Sequence, residues 1–119
     1  MITPEYLAGF FDGEGTFIIG KQPKNGKNYP KHTVMLSQSG EDGLQLLELI
    51  SKQYGGTIYQ HLKVGQHKAT KPAYKIYWKK QEVSVLIPIL LPHLILKKQA
   101  AIEVLAYVTR KNKIDPETI

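Results

Sequence analysis

The chain of 119 residues contains no cysteine. A disulfide framework, a thiolate zinc site and a cysteine nucleophile are therefore excluded, although the compartment is left open. Arginine is almost as scarce: Arg110 stands alone, and every other basic residue is a lysine. Bidentate arginine–guanine pairs are thus unavailable to the lysine-rich segments upstream of it. Long apolar runs are missing too. The most apolar stretch, Val83 to Leu96, is interrupted by Pro88 and Pro92 and is too short to span a bilayer. Met1-Ile2-Thr3-Pro4-Glu5 lacks the basic-then-apolar order of a signal peptide, and His32, His61, His67 and His93 are scattered without ligand spacing. The expectation is an intracellular protein, not secreted, with no membrane partner and no small-molecule cofactor.

What remains is ordinary for a globular chain. The 42% hydrophobic content suits one core-forming domain spanning residues 1–119. The formal charge of +6 is unevenly spread. Residues 15–40 hold Lys21, Lys24, Lys27 and Lys31 without an acid, and residues 56–81 hold Lys63, Lys68, Lys71, Lys75, Lys79 and Lys80, again without one. Those two segments carry +10 and the rest of the chain −4. Such separation of sign suits a polyanion-binding surface mounted on an acidic remainder.

Both basic segments read as strand pairs. Thr3-Pro4-Glu5 opens a helix, with Thr as N-cap and Pro at the first helical position. That helix is expected over Pro4 to Asp12, with Gly13 and Gly15 ending it. Thr16 to Ile19 and His32 to Gln38 follow as strands around a loop from Gly20 to Pro30. Gly40 to Tyr54 reads as a second helix, stopped by Gly55-Gly56. Thr57 to Lys63 and Ala73 to Lys80 form a second strand pair. Helices over Glu82 to Leu91, interrupted at Pro88, and Lys97 to Lys111 complete the chain. The order α-β-β-α-β-β-α-α predicts an α+β domain with a four-stranded antiparallel sheet. Tyr74, Ile76 and Trp78 alternate with Lys75, Tyr77 and Lys79, so one face of that strand is apolar and the other basic. A two-stranded ribbon fits the major groove of duplex DNA.

On a helical wheel of the first helix, Leu7, Phe10 and Phe11 cluster, and Ala8, Gly9, Asp12 and Gly13 fall on the opposite side. Small residues four apart let a second helix approach closely. A glycine within so short a helix costs about 1 kcal/mol against alanine, which a close helix–helix contact would explain. At the end of this helix, Asp12-Gly13-Glu14-Gly15 offers a carboxylate and a glycine carbonyl, both hard-cation donors, or simply a polar turn.

Leu7-Ala8-Gly9-Phe10-Phe11-Asp12-Gly13-Glu14-Gly15 resembles the nine-residue signature of the LAGLIDADG homing endonucleases. Five positions match outright, Glu14 supplies the expected carboxylate type, and Phe10 and Phe11 keep the bulky apolar pair. The element order is that family's repeat unit, with the sheet as a DNA-binding saddle. The resemblance implies a site-specific endonuclease that hydrolyses phosphodiester bonds of a long pseudo-palindromic double-stranded DNA. It implies Mg²⁺ as cofactor, with Mn²⁺ or Ca²⁺ able to occupy the site, bound by Glu14 and the Gly13 carbonyl. Glu14 replaces the commoner Asp. It also implies Gln38, and Lys97 with Lys98 as competitor, beside the cleaved bond. One signature in the chain implies a homodimer through helix 4–12, its interface formed by Ala8, Gly9, Asp12 and Gly13; half of a two-repeat protein is the alternative. Candidate DNA contacts are Lys21, Gln22, Lys24, Asn28, Lys31 and His32 in the first hairpin, and Gln60, Lys63, Lys75 and Tyr77 in the second. The competing readings are an inactive binder of the same type, such as an RNA maturase or DNA-binding regulator, and a basic structural or ribosome-associated protein.

Overall fold

Thr3 accepts the Tyr6 N–H on its hydroxyl at 3.1 Å, and Pro4 follows it, so the first helix starts where its cap chemistry dictates. The computed structural model describes residues 1–68 and 70–113, with the side chains at 22, 24, 28–30 and 111–113 outside the description. Helix α1 runs over Pro4–Glu14, two residues beyond the expected end, because Gly13 is accommodated inside it. Gly15 closes it, donating its N–H to the Phe11 carbonyl at 2.9 Å. A Cβ at Gly15 would lie 2.3 Å from the Phe11 ring, so no other residue fits this corner. Ile2 and Gln53 exchange two hydrogen bonds, and the Tyr54 hydroxyl donates to the Ile2 carbonyl, tying the start of α1 to the next helix.

Strands β1 (Thr16–Lys24) and β2 (Lys27–Ser39) form a longer hairpin than the sequence suggests. The expected loop from Gly20 to Pro30 is ladder almost throughout, down to Lys24 opposite Lys27. Asn25 and Gly26 alone make the turn, both with positive φ (54° and 77°), as a primed two-residue turn requires. Pro23 and Pro30 are tolerated because β1 is an edge strand and β4 pairs with β2 only over Met35–Ser39. Helix α2 (Gly40–Tyr54) precedes β3 (Thr57–Leu62) and β4 (Ala73–Tyr77). The sheet order is β1-β2-β4-β3, antiparallel at every pairing.

Strand β4 ends three residues early because the chain turns into α3 (Lys80–Leu90). Glu82 accepts the Lys79 N–H at 2.9 Å and reaches the Gly56 N–H at 3.2 Å, fixing that turn. Pro88 does not interrupt α3; it lies on the exposed side, where the carbonyl it leaves unbonded is open to water. A single 3₁₀ turn, Leu91–His93, leads to α4 (Lys98–Lys113).

All helices cover one face of the sheet. Phe17, Val34, Leu36, Ile76 and Trp78 point into the core, against Leu7 and Phe11 of α1, Leu47 and Ile50 of α2, and Leu86, Ile87 and Leu90 of α3. The Phe11 ring stacks on Phe17 at 4.7 Å and tilts against Trp78 at 5.5 Å. Among the described residues, no α-helix packs on the opposite face of the sheet. No described helix is long and apolar enough to cross a membrane.

Candidate functional site

Glu14 is the last residue of α1, exposed, at the corner that Gly15 forces. The following residue, Thr16, enters β1 opposite Met35. This places Glu14 against the far end of β2. Glu14, Ser37, Gln38, Ser39 and Ala73 line one open depression of about 230 Å³. The structure therefore brings Glu14 and Gln38 together. The close seating of α2 holds Gln38 in place, since a Cβ on Gly43 would come within 2.8 Å of the Gln38 Cβ.

Lys97 reaches the same corner from the other end of the chain. Asp12 Oδ2 accepts the Ile95 N–H at 2.8 Å, and Oδ1 accepts those of Leu96 at 3.1 Å and Lys97 at 2.9 Å. The Lys97 ammonium donates to the Gly15 carbonyl. A cation there also suits the negative end of the α1 dipole. Lys98 is exposed and is the first residue of α4. Desolvation alone would raise the pKa of Asp12, but the bonds from Ile95, Lys97 and Leu96, with the Lys97 charge, outweigh it and hold the carboxyl below its ordinary value.

The open face of α1 is narrower than the wheel suggests. Gly9 and Gly13 are exposed, and a Cβ on either would meet nothing within 4 Å. Ala8 is 0% exposed and belongs to the core, and Asp12 is engaged by the 95–97 segment. Of the four expected interface residues, Gly9 and Gly13 are therefore the ones left bare; within the chain, α3 and the Leu91–His93 turn pack against α1. A wheel gives angles but not which neighbour covers them.

Strand register sorts the hairpin candidates. Val34, Leu36 and Ile76 face the helices, so Lys31, Thr33, Met35 and Ser37 of β2, and Lys75 and Tyr77 of β4, face away. Lys63 is exposed just past β3. Lys21, His32 and Gln60 fall on the other parity of their strands. Lys21 aligns with Phe17 and Ile19. Gln60 pairs with Tyr74, its amide 3.3 Å from the Leu62 carbonyl. His32 sits 3.4 Å from the Trp78 carbonyl; desolvation, together with the charges of Lys31 and Lys80, depresses its pKa although that bond opposes the shift. The side chains of Gln22, Lys24 and Asn28 lie outside the described residues. Tyr59, Lys79 and Lys80, which the sequence alone does not single out, line a crevice of about 520 Å³ together with Lys31, His32, Met35 and Tyr77, where β2 runs on beyond β4. The tyrosines at 59 and 77, whose rings meet edge-on at 5.8 Å, were the available signal.

A family model described as LAGLIDADG endonuclease matches residues 7–108. The chain belongs to the LAGLIDADG endonuclease family. Solved homing endonucleases share its fold. I-CvuI, in complex with a DNA target in the presence of Mg, has a TM-score of 0.73 at 23% identity, covering 96% of this chain and 71% of that one. I-CeuI complexed with DNA gives 0.74 at 16% identity, covering 96% and 58%. I-TnaI gives 0.73 at 18% identity, covering 93% and 74%. Comparison with curated proteins finds no match.

Within the LAGLIDADG fold of this chain, the donors for a hard cation are few. Among the described residues no group of three or more His, Cys, Asp or Glu converges. The chain offers the Glu14 carboxylate and, at the end of α1, the Gly13 carbonyl, which has no later helical N–H to pair with. Two oxygen donors suit a divalent ion of the Mg²⁺ or Ca²⁺ kind, whose remaining ligands would have to come from outside this pair.

Proposed function

We propose that this LAGLIDADG endonuclease chain is one domain that cuts a long pseudo-palindromic double-stranded DNA site-specifically, as a homodimer and with divalent metal. The observation that carries this reading is the single carboxylate, Glu14, at the end of a helix whose Gly9/Gly13 stripe is bare. Double-strand cleavage needs two such carboxylates. An isologous contact through the bare stripe brings a second Glu14 to the same place.

Glu14 and the Gly13 carbonyl would hold Mg²⁺, with Mn²⁺ or Ca²⁺ as substitutes. When bound, the ion supplies Lewis acidity toward the scissile phosphate and lowers the pKa of water. The chain's own residues do the rest. Gln38, across the depression from Glu14, hydrogen-bonds and orients water. Lys97 supplies a fixed positive charge beside the phosphate as negative charge develops. Lys31, Lys63 and Lys75 bind the DNA backbone along the helix-free face, where Tyr77 adds apolar contact with bases.

The DNA complexes of I-CvuI and I-CeuI support duplex DNA as the partner. The test is cleavage of a randomised plasmid library with Mg²⁺, comparing the parent with Glu14→Gln. The parent is expected to cut a pseudo-palindromic site, and the variant to bind that site without cutting. A parent that binds but leaves DNA intact makes the chain an inactive binder, and cleavage surviving in the variant removes Glu14 from the metal site.

A further inference from the structure

The segment joining the Leu91–His93 turn to α4 is held in an unusual way. Ile95 and Leu96 are 88% and 75% exposed, so neither side chain packs the segment down. Core contacts stop at Leu94 and resume at Ala100. What grips the backbone between them is the Asp12 carboxylate, which accepts three successive N–H groups, those of Ile95, Leu96 and Lys97. Lys97 immediately precedes α4, and its carbonyl accepts the first helical bond there, from Ala101 at 3.0 Å. A lysine side chain has no acceptor for the free N–H groups of its own helix start. At that start, Asp12, from another helix, accepts only the Lys97 N–H directly ahead of it.

The same four residues of α1 and its corner hold Lys97 at both ends. Asp12 takes its backbone and the Gly15 carbonyl takes its ammonium, with Gly13 and Glu14 in between. We propose that Asp12 is a positioning residue for phosphodiester cleavage: it fixes the Lys97 ammonium relative to Glu14 by clamping the 95–97 backbone onto the end of α1. The proposal rests on the reading in which Lys97 acts beside the scissile phosphate. It gives Asp12 a role inside one protomer rather than at the contact between protomers. Charge-assisted bonds to three amides are stronger than neutral ones and are directional, which suits a clamp. A rotation of this segment would displace the ammonium by ångströms, and a displacement of about 1 Å can cost on the order of 100-fold in rate.

The test is a double-mutant cycle on single-turnover cleavage of the target that the parent selects, using Asp12→Asn, Lys97→Ala and the double variant. Asp12→Asn keeps the size of the side chain but cannot accept three N–H groups on two charged oxygens. It is expected to slow cleavage by about 10- to 100-fold, with target affinity in Ca²⁺ unchanged within a few-fold. In the Lys97→Ala background the same change is expected to add almost nothing. An equal loss in both backgrounds overturns the coupling and leaves Asp12 a general stabiliser of the fold. Lys97→Ala cutting at the parent rate overturns the role of Lys97, and the coupling with it. Amide hydrogen exchange on the parent requires no variant to fold: the Ile95, Leu96 and Lys97 amides are expected to be protected although their loop is exposed, and fast exchange at all three overturns the clamp.

Discussion

Glu14 and Gln38 face the same depression, although one ends the first helix and the other lies near the end of the second strand. Their meeting follows from the sharp corner at Gly15 and from the length of the first hairpin, which returns β2 to the end of α1. In the proposed reaction they divide the work between a metal-binding charge and a neutral water-orienting amide. Gln38→Ala is expected to slow single-turnover cleavage by roughly 10- to 100-fold while target affinity stays within a few-fold. Loss of affinity with unchanged rate would place Gln38 in binding instead.

The bare face of α1 separates folding from assembly. Because a Cβ at Gly9 or Gly13 meets nothing in the protomer, Gly9→Val with Gly13→Val should leave the fold intact. Loss of helix glycine favours the isolated protomer by several tenths of a kcal/mol per site. Sedimentation equilibrium should then report a monomer for the variant and a dimer for the parent, with the variant still melting in one cooperative step. A dimeric variant would show that α1 is not the contact.

Salt dependence distinguishes the two sheet faces. Lys31→Ala and Lys75→Ala should each lower the slope of log K against log salt by about one. Lys21→Ala, on the helix side of the register, should leave that slope unchanged. Equal slopes for parent and both lysine variants would mean that DNA does not lie on the open face.

His32 gives the fold a pH dependence of definite sign. Desolvation, chiefly, with the Lys31 and Lys80 charges, lowers its pKa from the ordinary 6.5, against the pull of the Trp78 carbonyl. The folded state therefore prefers neutral His32. Its stabilising contribution is complete above about pH 6.5 and declines as pH falls below that value toward the lower folded pKa. Urea melts between pH 7.5 and 5 should show this decline in the parent and a shallower one in His32→Gln. Parallel curves for the two proteins would contradict it.

Much of the domain is written locally. Thr3-Pro4 starts α1, Gly15 ends it, and the alternation of Tyr74, Ile76 and Trp78 sets the inward face of β4, because each depends on neighbours one to four residues away. The signature from Leu7 to Gly15, with the acid-free lysine segments after it, is enough to name the family. Asn25-Gly26 was legible too, as a primed turn between strands. Pro23 and Pro30 obscured it, since whether proline fits a ladder depends on whether another strand lies alongside.

The remaining features belong to the tertiary structure. Ala8 and Asp12 share a helical wheel with Gly9 and Gly13, yet Ala8 is buried in the core and Asp12 is engaged by the 95–97 segment, while the two glycines stay bare. Lys21, His32 and Gln60 alternate with Lys31 and Lys75 in a pattern that only the pairing register resolves, because a shift of one residue exchanges the faces. The clamp of Asp12 on Lys97 joins the first helix to the start of the last. No local rule brings those residues together. Their contact exists because all four helices must cover the same side of one sheet, which leaves the corner after α1 and the approach to α4 in the same place.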